Sequence, residues 1–321
     1  MHSRTGAKRR DGSIVQVFHA DQFRLELPPG HRFPISKYGR LIARLSERQD
    51  ENLTLAAAPP ISREALNSTH CPRFVQRVFE GKLSAAELRR LGLPWSPALV
   101  ARSQRSVGAT VAAMQAAIVD GVSVSLAGGT HHAGYDYAAG FCVFNDVAVA
   151  MRTSFEQDAK RRFLIVDCDV HQGDGNARLL ADVDGAFTFS LHAARNYPHH
   201  KAVSDLDIGL PDRATDATYL DYLARGLEHA YRVASPQVTV FIAGADVYAG
   251  DRLGRLNLSA DAIAARDEMV ISVAEQHDQS VVVVMGGGYA DDIDETVGIQ
   301  SATVMVALAS WQRRRAERKS R

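Results

Sequence analysis

The sequence predicts an α/β protein of three αβα layers, a mostly parallel central sheet covered by helices on both faces. Three observations predict it. Short apolar runs rich in Val, Ile and Phe recur at 122–127, 163–167, 186–191, 238–243 and 280–285, and unbroken runs of this kind mark strands buried on both faces. Helix-forming segments separate them at 147–155, 175–180, 218–233 and 260–275, and strand–helix alternation is the signature of a parallel sheet. Polar residues gather directly after four of the five runs, where open α/β sheets bind their ligands.

Before the first run the chain reads mainly as helices, with amphipathic segments at 36–47 and 97–119. Residues 14–18 (IVQVF) and 53–57 (LTLAA) are short enough and apolar enough to add edge strands. No internal repeat or low-complexity linker interrupts the chain. The 321 residues are read as one catalytic domain over 12–314, a size one large α/β core can reach. Residues 1–11 are expected to be a disordered tail and 315–321 a basic one.

Composition excludes several classes. Lys+Arg and Asp+Glu are both 37, so the chain lacks the basic excess of a nucleic-acid-binding surface, and no direct nucleic-acid partner is expected. No stretch reaches the 18 apolar residues of a membrane helix. The start, MHSRTGAKRR, has charge without an apolar segment behind it, unlike a secretory signal. Cys71, Cys142 and Cys168 are few, odd in number and without CxxC spacing. They read as packing residues in a reducing compartment, which predicts a cytoplasmic location.

The chemistry lies at the strand ends. The first run is followed by GGTHHAG, with His131 and His132. The second leads into DCDVHQGDG, with Asp167, Asp169, His171 and Asp174. The fourth precedes GADVYAGDRLG, with Asp246, and the fifth precedes GGGYA, with Tyr289. In extended chain, residues 167, 169 and 171 share one face. Two carboxylates and an imidazole on one face suit a divalent cation, and Asp246 is a natural partner from another strand. A strand-end turn with capping acids accounts for Asp174 but not for two carboxylates beside a buried strand. Tandem histidines alone are a weak signal, since many are ordinary loop residues. Here Asp167 and Asp174 can each hold one imidazole in a fixed tautomer for acid–base work. The glycines at 286–288 let the Tyr289 phenol approach the metal, where it can stabilise an oxyanion. They do not form a dinucleotide fingerprint, having neither GxGxxG at a helix start nor the acid that follows it.

At these residues the chain resembles the zinc-dependent histone deacetylase family, which shares a fold with arginase. The matching segments are GGTHHAGYDYAAGFCVFND, FLIVDCDVHQGDG, FSLH, AGADVYAGDRLG and MGGGY, in family order across 128–289, with weaker likeness at GHRFPISKY. The segments RNYPHHKAVSDLDIGLPD and TDATYLDYL look closest to the class IV type and its bacterial relatives. The resemblance implies catalytic zinc, with ferrous iron as the alternative metal, on Asp169, His171 and Asp246. It implies catalytic roles for His131 and His132, partnered by Asp167 and Asp174, and a carbonyl-polarising role for Tyr289. Gly140, Phe141 and Tyr197 match the walls of an acyl-lysine tunnel. Asp167, Asp169, His171, Ser190 and Leu191 match a structural potassium site.

The activity so implied is hydrolysis of an acyl group, acetyl or a longer fatty chain, from a lysine side chain in a protein or peptide. A small acylated amine such as an acetylpolyamine is the alternative substrate. A non-catalytic acyl-lysine-binding module predicts a lost ligand or a lost tyrosine, and all are present. The class IV likeness implies a preference for long acyl chains. Thr130 stands where many relatives carry a large residue, which leaves room beneath the site. The long C-terminal extensions of eukaryotic relatives are missing, so dedicated corepressor docking is not expected.

Overall fold

A computed structural model describes residues 14–21 and 25–320. The tail expected at 1–11 lies outside the described residues. The elements follow in the order β1 (Val15–His19), α1 (Ser36–Glu47), β2 (Leu53–Ala57), α2 (Arg63–Asn67), α3 (Pro72–Phe79) and α4 (Ala85–Leu91). Next come α5 (Pro97–Asp120), β3 (Val122–Ser125), α6 (Asp146–Gln157), β4 (Phe163–Asp167), α7 (Asp174–Leu180) and β5 (Ala186–Ala193). The chain closes with β6 (Leu206–Leu210), α8 (Asp216–Ala234), β7 (Val238–Ala243), α9 (Ala260–Gln276), β8 (Ser280–Met285) and α10 (Ile293–Ser320).

The eight strands form one sheet in the order β2-β1-β3-β8-β7-β4-β5-β6, and every neighbouring pair is parallel. Because side chains alternate across a strand, each central strand feeds two cores. Val281 and Val283 of β8 face the side covered by α1, α8, α9 and α10, with Leu41, Leu227, Ile271 and Trp311. Val282 and Val284 face the other side, with Phe74, Val107, Met114 and Val149 from α3, α5 and α6. These are the expected three layers.

Local signals set the helix ends. Ser96 accepts a hydrogen bond from Leu99 N at 3.1 Å to open α5, with Pro97 in its first turn. Gly121 closes that helix at φ +94°, where a side chain would be strained. Thr215 and Ser259 cap α8 and α9 in the same way as Ser96.

Two features depart from the sequence reading. β6 was not foreseen: it is an edge strand, alternately half-buried and exposed. The segment expected to be a basic tail from 315 is helical through Ser320, as the last turns of α10. The arginines at its start are engaged, Arg313 and Arg314 just before it and Arg315 within it. Arg313 meets Glu268 at 3.0 Å and Glu275 at 2.9 Å. Arg314 is buried and donates to Gln279 O, and Arg315 lies over the Trp311 ring. Among the described residues no helix is long and apolar enough to cross a membrane.

Candidate active site

β3, β8, β7 and β4 are consecutive in the sheet, yet the chain passes from β3 directly to β4 and returns later to fill the gap. Loops leaving such a switch diverge and open a crevice at the C-terminal strand ends. The polar residues singled out above meet there.

The loop after β3 is built on a buried acid. Asp146, at the start of α6, accepts from Gly129 N at 3.0 Å, Thr130 N at 2.7 Å, Thr130 Oγ1 at 2.6 Å and Thr110 Oγ1 at 2.6 Å. A Cβ on Gly128 would lie 2.3 Å from the same carboxylate, so the loop can close on it only with glycine there. The wrap turns His131 and His132 inward, both almost fully buried, with ring centroids 4.1 Å apart.

β4 ends at Asp167, and 168–171 is a turn rather than extended strand. Asp167 therefore faces His131, not the metal cluster: Oδ2 meets His131 Nδ1 at 2.7 Å, while Oδ1 accepts from Asp169 N at 3.1 Å. His132 Nδ1 meets Asp174 Oδ1 at 2.7 Å, at the first turn of α7. Asp169, His171 and Asp246 do converge, their ligand atoms within 4.8 Å of one another. His171 Nδ1 lies 2.9 Å from Asp169 Oδ1 and 3.2 Å from Asp246 Oδ2.

The cluster fits a divalent cation. Asp246 Oδ2 is buried and has no hydrogen-bond partner among the described residues. Burial, then the adjacent Asp169 charge, raises the Asp246 carboxyl to about 7. Two buried carboxylates side by side require a positive charge between them. A Cβ on Gly287 would lie 1.9 Å from Asp246 Oδ2 and 3.0 Å from Asp169 Oδ2, so glycine keeps this space clear.

The protein groups around the tandem histidines shift their proton affinities in opposite directions. Burial opposes charge on His131, but Asp167 and Asp169 outweigh it and raise its pKa to about 9. Burial, then neighbouring His131, lowers His132 to about 4. The phenol of Tyr289 is raised well above its ordinary value by burial and by the charges of Asp246 and Asp169. Cys168 is likewise pushed up to about 12 by burial, and buried Cys142 higher still, so neither offers a thiolate nucleophile.

Gly140, Phe141 and Tyr197, expected to line a tunnel, lie around the same cavity. Tyr197 packs edge-on against His132 at 4.9 Å. Gly140 has φ +55°, and a Cβ there would lie 2.5 Å from His132 Cδ2. Phe141 carries a positive φ of +66°, uncommon for an aromatic residue. Its amide is fixed on Leu91 O at 2.7 Å, and its ring stands 6.0 Å from that of Tyr289. Ser190 is the register partner of Asp167 across β4 and β5, and Leu191 follows it, buried. A cavity of about 370 Å³ joins His131, His132, Asp169, His171, Phe141, Tyr197 and Tyr289 and continues past Thr130.

Two supporting residues escaped the sequence reading. Asp251 holds Tyr289 N at 2.6 Å and also accepts from Leu253 N and Gly254 N. Its only signal was the AGDRLG segment. Arg266, fully buried on α9, donates to Gly244 O at 2.6 Å and Cys168 O at 3.3 Å, tying together the two loops that carry Asp169, His171 and Asp246. Asp267 neutralises it at 2.7 Å.

Comparison with known proteins agrees with this geometry. Residues 31–304 match the histone deacetylase domain. An uncharacterized protein of Picosynechococcus sp. is 39% identical over 284 residues, 88% of this chain and 94% of that one. The histone deacetylase-like amidohydrolase of Pseudomonas aeruginosa is 31% identical over 279 residues, 78% of this chain and 72% of that one. A crystal structure of an HDAC homolog complexed with SAHA superposes with TM-score 0.81 at 24% identity, covering 92% of this chain and 84% of that one, which shows the shared fold. The switch-point crevice, its buried acid–imidazole cluster and these likenesses lead to one conclusion: the chain belongs to the histone deacetylase family of hydrolases.

Proposed function

We propose that this protein is a zinc-dependent hydrolase that removes acyl groups from lysine side chains. The observation that carries the reading is the convergence of the Asp169–His171–Asp246 cluster with two histidine–aspartate pairs and Tyr289 around one cavity, lined by His131, His132, Asp169, His171 and Tyr289. Zinc, or ferrous iron in its place, held by those three residues supplies Lewis acidity and a water acidified towards a pKa of about 7. The chain's own residues do the rest. The Nδ1 atoms of His131 and His132 are bound to carboxylates, which leaves their Nε2 atoms for proton transfer. The pair takes a proton from the attacking water and returns one to the amine nitrogen as the C–N bond breaks, so the products are an amine and a carboxylate. Tyr289 donates its phenolic proton in a hydrogen bond to the developing oxyanion. Gly140, Phe141 and Tyr197 guide the lysine stem. A structural potassium ion on Asp167, Asp169, His171, Ser190 and Leu191 belongs to the same proposal, supported by the side-by-side register of Asp167 and Ser190. The cytoplasm is the expected location.

The test combines metal and substrate. Purified protein should carry about one catalytic ion, and Asp246→Ala should sharply weaken its binding. Wild-type protein should release acyl groups from acyl-lysine peptides faster than from acetylated polyamines. Unchanged metal content in Asp246→Ala, or release confined to polyamines, overturns the corresponding part of the reading.

A further inference from the structure

Beyond Gly128 and Thr130 the cavity continues into a chamber between α1 and α5, and its wall there is not purely apolar. Lys37 and Arg102 both line it. Each is a cation in the protein interior, 2% and 6% exposed. Lys37 Nζ reaches only Gly286 O at 3.5 Å and Gly288 O at 3.4 Å, and lies over the rings of Tyr38 and Tyr289. Arg102 stacks on Tyr38 at 4.1 Å, and its hydrogen bond is a long one of 3.4 Å to Ala20 O. Neither forms an ion pair among the described residues.

Buried cations are ordinarily paired, because desolvation costs several kcal/mol per ion. The other buried arginine near the site, Arg266, follows that rule with Asp267 at 2.7 Å. A guanidinium has five N–H donors, so Arg102 keeps unused donors at the edge of an open cavity. An anion satisfies both side chains. The distance is short: Lys37 Nζ contacts Gly286 O, and the next residue, Gly287, donates its N–H to Asp169 Oδ2 at 2.7 Å.

We propose that this chamber binds a carboxylate at the far end of the acyl group, so that the preferred substrates are short dicarboxylic acyl amides such as succinyl- or glutaryl-lysine. The inference rests on the deacylase reading and narrows it. Thr130 lines the cavity between the two histidines and these cations. What lies past it favours a charged end over the apolar tail of a fatty acyl group. A carboxylate can arrive there in two ways, as the ω-carboxylate of the substrate or as the acid newly released from any acyl group.

The deciding experiment measures kcat/KM of the purified metal-loaded protein for one peptide carrying acetyl-, octanoyl-, succinyl- or glutaryl-lysine. The succinyl or glutaryl peptide should lead acetyl by at least about tenfold, equivalent to ~1.4 kcal/mol. Arg102→Gln should collapse that ratio and Arg102→Lys should retain part of it; Lys37→Gln repeats the test should Arg102→Gln fail to fold. A lead for acetyl or octanoyl overturns the proposal. In parallel, glutarate should raise the melting temperature of wild type more than acetate at equal ionic strength, and the excess should vanish in Arg102→Gln. Equal protection by acetate assigns the cations to the released acid and overturns the proposal. Failure to cleave any amide defeats the deacylase reading instead, and the glutarate measurement still decides whether the chamber binds a dicarboxylate.

Discussion

His131 and His132 are adjacent in the chain, both are buried, and each meets an aspartate at 2.7 Å. Their surroundings nevertheless differ. Asp167, the partner of His131, ends β4 and accepts the amide of metal-cluster residue Asp169, and His131 Nε2 is itself 3.9 Å from Asp169 Oδ1. Asp174, the partner of His132, is the first residue of α7, with no bond to the cluster among the described residues and Arg178 at 3.9 Å. One imidazole is therefore tied to the Asp169–His171–Asp246 cluster through carboxylates, whereas the other meets it only edge-on, 5.8 Å from the His171 ring, and packs beside Tyr197. Two identical side chains acquire different electrostatics from the charges around them: His131 has both Asp167 and Asp169, while His132 faces burial and the neighbouring His131.

The largest expected effects break this comparison directly. His132→Ala should lower kcat by about 10²–10⁴, the range for loss of a general acid–base group, with metal content unchanged. The acids should then separate the pairs. Asp174→Asn should reduce kcat alone, whereas Asp167→Asn should reduce both kcat and bound metal, because it also loses the contact that shapes the Asp169 turn. Rate and metal content measured on the same samples decide it. Equal metal retention in the two asparagine variants would show that the pairs are not differently coupled.

A smaller effect sharpens the contrast between a reacting group and its support. Tyr289→Phe should cost about 10²–10³ in kcat, the range for loss of one oxyanion donor. Asp251→Asn reaches Tyr289 only through its backbone N–H, at 2.6 Å, beside the bonds from Leu253 N and Gly254 N, and weakens charge-assisted hydrogen bonds of about 1.5–3 kcal/mol each without removing them. It should cost roughly tenfold and should respond to temperature more than to substrate. A change confined to KM in Tyr289→Phe would remove the oxyanion role.

Much of this arrangement was legible in the sequence because it depends on residue type and order. Unbroken apolar runs such as 280–285 can be little other than buried strands, and acids and imidazoles directly after them must reach the rim. Edge strand β6 was not legible, since a half-exposed LDIGL has no apolar run to read. The helical end of α10 was missed because a charged run has no apolar periodicity to read, and only the placement of Arg313 and Arg314 on Glu268, Glu275 and Gln279 just before it shows the helix anchored there. Arg266 and Asp251 act on backbone groups 98, 22 and 38 positions away, and no local pattern announces which carbonyl or amide a side chain will meet. The face-sharing of 167, 169 and 171 pointed to Asp169 and His171, which do converge with Asp246, although the chain turns after Asp167 and that residue meets His131.

A third buried histidine extends the comparison to a site without a carboxylate. His70 is fully buried beneath the same loop, with Nδ1 on Gly134 O at 2.8 Å and Nε2 accepting from Asn145 N at 3.0 Å. Both contacts are used only if the ring is neutral, with its proton on Nδ1. Burial lowers its pKa to about 4, against the partial opposition of its carbonyl contacts. The sign follows from linkage. Above the unfolded value of about 6.5 the ring is neutral in both states, and the contribution to stability is complete. As pH falls from about 6.5 to about 4, the unfolded chain takes up a proton that the folded chain refuses, so stability drops. Below about 4 both states are protonated and the loss is finished. The shift corresponds to about 3 kcal/mol at most. His70→Gln can still donate to Gly134 and accept from Asn145 but does not titrate. Urea unfolding of the two proteins from pH 7 to pH 4 should show wild type losing stability more steeply, and the difference between them cancels the metal and carboxylate terms they share. Parallel curves across that window would mean that His70 titrates alike in both states, and its neutral bridge would have to be abandoned.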